Sequence, residues 1–166
     1  PMPQTAAFDQ AIEAYRAGRY AEALADLQQV LFVDPNSAQV YYIMGEIYRQ
    51  QWKMAEALDA YNKSIELDPN FAPAYYGLAM RSKDMSAEND YDKDLTRAID
   101  RDPNFVPAYI ERAGYYSYHQ NWENARSDLD LALQLEPNNA LALIRIGRME
   151  IRLNEADAAL DNIIRG

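Results

Sequence analysis

The chain has 166 residues, with 16 Lys and Arg against 26 Asp and Glu, one His and no Cys. The absence of cysteine excludes disulfides, thiolate metal sites, iron–sulfur clusters and cysteine nucleophiles, and a net charge of −10 opposes phosphate backbones and anionic membranes, so no nucleic-acid partner is expected. Hydrophobic residues make up 49%, enough for a packed core.

Helical periodicity begins near residues 5–17 and resumes near 20–33, where Asp34-Pro35-Asn36 closes it. A second pair follows near 39–51 and 54–67, closed by Asp68-Pro69-Asn70. In this pair Tyr41, Met44, Gly45 and Tyr48 share one helical face, and Ala57, Leu58, Tyr61 and Ile65 share the next. The third pair is expected near 73–85 and 88–101, and the fourth near 107–119 and 122–135. Pro73 and Pro107 fall in first helical turns, which need no amide donor there. A fifth pair is expected near 140–153 and 155–165. The acid-Pro-Asn element ends each full pair, because a residue before proline is pushed out of the α region.

These pairs repeat every 34 residues, in the register 4–37, 38–71, 72–105, 106–139 and a shorter 140–166. The eighth and twentieth positions are small: Ala11 with Ala23, Gly45 with Ala57, Ala113 with Ala125, Gly147 with Ala159. Small partners let two helix backbones approach closely. The third repeat departs, with Tyr91 opposite Ala79, and a wider separation or a local kink is expected there. With this period, these small positions, the aromatics and the closing proline, the sequence resembles the tetratricopeptide repeat family over residues 4–166. That resemblance implies an all-α fold, a single right-handed superhelical solenoid of about five repeats and ten helices, whose first helices line a concave groove.

Chemistry-bearing residues are few. His119 has no second histidine or cysteine beside it and reads as a solvated helix end. Asp90, Asp92 and Asp94 imitate half a calcium loop, but Leu95 and Arg101 stand where Gly and a bidentate Glu are required. They read instead as the acidic start of a helix. Asn62-Lys63-Ser64 matches a glycosylation acceptor but falls mid-helix. No cofactor, metal or catalytic residue is expected, and the chain is not expected to be an enzyme.

There are thirteen tyrosines. Tyr41, Tyr75, Tyr109, Tyr48, Tyr116 and Tyr61 fall on core positions, where their hydroxyls should reach a polar partner. Tyr42, Tyr76, Met80, Ile110 and Tyr118 fall on the face that the family turns into its groove, with Arg145, Arg148 and Arg152 at its far end. The functional reading is a peptide-binding groove, in which aromatic anchors desolvate apolar side chains and arginines grip a carboxylate. The competing reading is that the aliphatic members pack helix on helix and the arginines balance nearby acids. Chaperone-binding members of the family hold a terminal carboxylate with a Lys, Asn and Arg clamp. Three windows correspond here, Phe8, Ile12, Ile43, Pro73 and Gly77, then Tyr42, Glu46, Gly77, Pro107 and Glu111, then Tyr76, Met80, Glu111, Leu141 and Arg145; none is a clamp, so that mechanism is not expected.

The resemblance therefore implies a non-catalytic scaffold for a protein or peptide ligand. The alternative is a self-association or spacer module of a longer enzyme or sensor. A solenoid end needs a polar cap. Leu160, Ile163 and Ile164 would lie partly uncovered, so either the chain is a segment of a longer protein or residues 155–166 pair with another subunit as a homodimer. The longest uncharged stretch, Pro69 to Met80, is twelve residues and too short to cross a bilayer. No basic segment with an apolar run opens the sequence, and the compartment is left open.

Overall fold

The computed structural model describes residues 6–165, excluding the side chains of residues 88, 89 and 155–165. Nine helices are formed among them: α1 Ala6–Arg16, α2 Tyr20–Val33, α3 Ala38–Gln50, α4 Met54–Leu67, α5 Ala72–Asp84, α6 Glu88–Arg101, α7 Val106–Tyr118, α8 Trp122–Leu135 and α9 Ala140–Arg165. The chain divides into two compact units, one ending at Asp102 and the other beginning at Pro103. In the first, three antiparallel pairs stack, with α3 against α5 and α4 against α5. In the second, α7 pairs with α8, and α9 packs on both.

Each pair closes in the same way. Gly18, Trp52, Ser86 and Gln120 adopt left-handed φ values of 74°, 59°, 57° and 59°. The amides of Arg19, Lys53, Ala87 and Asn121 then reach back to the carbonyls of Ala14, Tyr48, Ser82 and Tyr116 at 2.8–2.9 Å. This double-capped ending satisfies the orphan carbonyls of the first helix. At the other end of the pair, Asn36 and Asn70 amides donate to the carboxylates of Asp34 and Asp68, the side-chain turn that lets proline follow.

The small positions are buried as expected: Ala11, Ala23, Ala57, Ala113 and Ala125 have no exposed surface. Position 24 of the repeat carries the central knob. Leu27, Tyr61, Leu95 and Leu129 occupy it and are at most 1% exposed. Each such burial stabilises its pair by about 1.5–3 kcal/mol. Tyr75 and Tyr109 hydroxyls donate to the carbonyls of Pro69 and Pro103, tying each helix to the turn before it.

Two expectations are corrected. The third pair is not wider: α5 and α6 pack as closely as the other pairs, with Tyr91 buried and the Lys83 ammonium 5.8 Å from its ring centroid. The fifth pair is not a pair, because α9 runs unbroken through Asn154, the residue in register with the four left-handed turns. Leu153-Asn154-Glu155-Ala156 contains neither Gly nor Pro, so without a returning helix packed in place the uninterrupted helix is favoured. The expected exposure of Leu160, Ile163 and Ile164 lies outside the described residues.

Candidate interaction faces

In the first unit the site is built around Tyr61. Its ring edge lies against Gly45 of α3 and Gly77 of α5, and a Cβ at either glycine would run into it. The Tyr61 hydroxyl donates to Glu46 Oε1 at 2.6 Å. Arg49 donates to Glu46 Oε2 at 3.0 Å and to Asp84 Oδ2 at 2.6 Å, linking α3 to the end of α5. Burial, then the charge of Glu46 and the hydrogen bond to it, push the Tyr61 pKa well above its ordinary value. Tyr42 lies beside this network, half-buried, with its ring 6.2 Å from Tyr61 and 5.8 Å from Phe71. Its pKa is also pushed up, by burial first and Glu46 second, with Tyr15 and Tyr76 among the neighbours that contribute. Tyr15 of α1 and Tyr42 of α3 thus both lie within the field of the half-buried Glu46 carboxylate, and Tyr76 of α5 neighbours Tyr42.

Met80 and Ile110 are buried, 9% and 3% exposed, and leave little surface for a ligand. Both fill space between helices, because the groove face of a packed helix merges with its helix-contact face.

The second unit holds an open groove of about 740 Å³ along α7 and α9, lined by Tyr118, Trp122, Arg145, Arg148, Met149 and Arg152 among others. Four residues expected from spacing, Tyr118, Arg145, Arg148 and Arg152, therefore meet at one place. Tyr118 is 76% exposed and stands edge-on to His119 at 5.1 Å. Arg145 donates to Glu111 Oε1 at 3.0 Å, and its guanidinium lies over Gly114, where any side chain would collide with Nη1. The Arg145 Nε is buried without a hydrogen-bond partner. Arg148 and Arg152 are exposed. The arginines follow from three- and four-residue spacing on one helix. Trp122, at the start of α8, was not legible as a groove residue because the pattern marks it only as a helix start.

Asp90, Asp92 and Asp94 lie in the first half of α6, and Asp94 turns inward at 7% exposure to meet Arg97 at 3.0 Å. Among the described residues no group of His, Asp or Glu side chains is placed to hold a metal. No helix among them is long and apolar enough to cross a membrane.

Residues 8–70 match the tetratricopeptide repeat family model. Residues 8–70 are tetratricopeptide repeats. No curated protein matches the chain by sequence. Among solved structures it is similar to a crystal structure of MamA, at 21% identity over 91% of this chain and 88% of that one, with a TM-score of 0.69. It is also similar to the first such domain of human RPAP3, at 26% identity over 75% of this chain and 98% of that one, with a TM-score of 0.66. The first such domain of Spaghetti (RPAP3), bound to the HSP90 peptide SRMEEVD, is 26% identical over 71% of this chain and 94% of that one, with a TM-score of 0.64. These likenesses establish an all-α fold of the tetratricopeptide solenoid class.

Proposed function

We propose that the protein is a non-catalytic scaffold that binds a protein or peptide partner. Tyr42 and Tyr76 of the first unit offer apolar contact, and Tyr118, Arg145, Arg148 and Arg152 of the second take an acidic group. The observation that carries this reading is the 740 Å³ groove, which gathers arginines and two aromatic rings in a chain of net charge −10. Arginine and aromatic side chains are those most enriched where binding energy concentrates. Preformed helices reduce the ordering that binding requires, since mainly the ligand must be fixed. The peptide held by the related RPAP3 domain supports a peptide as ligand for a repeat array of this kind. None of the three windows that correspond to the family carboxylate clamp carries its full residue set, so the arginines of α9 supply a different grip.

The test is capture from source-cell extract with wild type, Tyr42→Ala/Tyr76→Ala and Arg148→Glu/Arg152→Glu, with helicity checked by circular dichroism. Partners lost by either folded variant support the reading. Identical captured sets from all three refute it.

A second reading, self-association, is favoured by the apolar surface of α9, where Leu143, Ile144 and Ile151 are 49–59% exposed. The homodimer contact expected through residues 155–166 involves side chains outside the described residues.

A further inference from the structure

The groove of the second unit carries charge of one sign. Among the described residues its charged lining consists of Arg145, Arg148 and Arg152, with no carboxylate beside them. The three are not equivalent. Arg145 is already engaged: it donates to Glu111 Oε1 at 3.0 Å, its guanidinium lies over Gly114 and its Nε is buried. Arg148 and Arg152 are exposed, and among the described residues neither makes a hydrogen bond or an ion pair. They stand one turn apart on α9, at a spacing that sets Cβ atoms about 5–6 Å from each other.

The repeat register shows that this pair of free cations is peculiar to the last repeat. Arg148 corresponds to Gly114, Met80 and Glu46, and Arg152 to Tyr118, Asp84 and Gln50. Where the first unit carries charge at these positions, on Glu46 and Asp84, it supplies Arg49 as their counterion at 3.0 and 2.6 Å. The last repeat carries cations there and supplies no counterion. Two uncompensated guanidinium groups match a dianion, whereas one carboxylate neutralises only one of them. A phosphomonoester brings a charge of about −1.5 to −2 at neutral pH and three acceptor oxygens, and guanidinium forks bind such a group through paired hydrogen bonds. Tyr118, 76% exposed, and Trp122 add ring surface on the same groove for the residues beside the phosphate.

We propose that the groove takes a phosphorylated segment of a partner protein, with Arg148 and Arg152 on the phosphate and Tyr118 and Trp122 against the apolar side chains next to it. This rests on the reading of the groove as a peptide site and names the chemistry of its ligand. Arg145 stays on Glu111 and contributes its charge from the groove wall. The phosphate accepts at least one charge-assisted hydrogen bond more than a carboxylate does, which is equivalent to about tenfold in affinity. A polyanion such as nucleic acid remains opposed by the net charge of −10.

The test offers the immobilised full chain short peptide pools with degenerate flanks and a central phosphoserine, phosphotyrosine, serine, tyrosine, glutamate or pair of glutamates. Retention of a phosphorylated pool at least about tenfold above both glutamate pools is expected, and the two phosphorylated pools distinguish an alkyl from an aryl phosphate. Arg148→Ala/Arg152→Ala should abolish that margin with helicity unchanged by circular dichroism. Arg126→Ala, which removes an exposed arginine already held by Asp130 and Glu150, should keep it. In Trp52→Phe the only tryptophan left is Trp122, whose fluorescence then reads binding of the best-retained phosphopeptides in solution. Equal retention of phosphorylated and glutamate pools would overturn the proposal and leave the peptide-binding reading standing, whereas retention of no pool would overturn both. A margin that survives Arg148→Ala/Arg152→Ala would also overturn it. Inorganic phosphate that shifts Trp122 fluorescence at the same concentrations as the phosphopeptides would overturn it in favour of a simple anion site.

Discussion

Replacing Tyr61 with Phe tests whether the buried network of the first unit stabilises the fold. The ring stays in the slot beside Gly45 and Gly77, so the substitution deletes one hydroxyl and the 2.6 Å hydrogen bond it donates to Glu46. A hydrogen bond to a charged group contributes about 1.5–3 kcal/mol. Glu46 keeps Arg49 at 3.0 Å and its side chain is 13% exposed, which places the expected loss near the lower end, about 1.5 kcal/mol. For a chain of this size that is a fall in Tm of roughly 3–6 °C. Urea and thermal unfolding followed by circular dichroism would measure it. The pH dependence supplies a second readout. The folded state holds the Tyr61 proton above pH 10.0, where the unfolded chain releases it, so this contribution is present below that pH and lost as pH rises. Tyr61→Phe should flatten the alkaline limb, leaving the part that Tyr42 contributes by the same sign. A loss below about 0.5 kcal/mol with an unchanged alkaline limb would refute the reasoning.

Gly→Ala should change sign with position. At Gly77 the new methyl runs into the Tyr61 ring, and overpacking of about 1–3 kcal/mol outweighs the helix preference for Ala, whereas at Gly147, with open space, the same change should raise stability by about 0.5–1 kcal/mol; chemical denaturation of both variants decides it. Arg112→Ala should destabilise by about 3 kcal/mol, because it strands the buried Asp128 carboxylate held by two hydrogen bonds of 2.9 and 2.8 Å. Arg126→Ala removes only the exposed pairs to Asp130 and Glu150, and its melt should stay within about 0.5 kcal/mol of wild type. Burial raises the Asp94 pKa above 3.8 against the opposing pull of Arg97, so its favourable contribution is complete below that value and is lost as pH rises through the folded pKa. Asp94→Asn should therefore gain stability relative to wild type at pH 7 compared with pH 4, measured by urea melts at both.

Where a local signal and a packing signal coincide, the sequence is legible almost to the residue. The spans 20–33 and 54–67 expected from periodicity are the observed α2 and α4. Pro73 and Pro107 lie in the first turns of α5 and α7, as their missing amides require. Arg145, Arg148 and Arg152 share one helix face by their spacing, and they line one cavity. Other features depend on partners distant in sequence. Nothing local marks Tyr61 as needing Gly45, Gly77 and Glu46, which come from two neighbouring helices. Met80 and Ile110 share the periodicity of groove residues, and only the assembled packing shows them buried.

The left-handed turns bear on how far this chain can reach. Three of the four are made by Trp52, Ser86 and Gln120, residues with no intrinsic taste for that conformation. Each bend is therefore imposed by the returning helix and relaxes once that helix is taken away. In α9 the bend has relaxed, and the terminal repeat becomes a single arm about 39 Å long at 1.5 Å per residue. The same 34-residue unit is a compact brick when its second helix is docked and a boom when it is not, so an array of this kind can project contacts well beyond its own body without adding a residue.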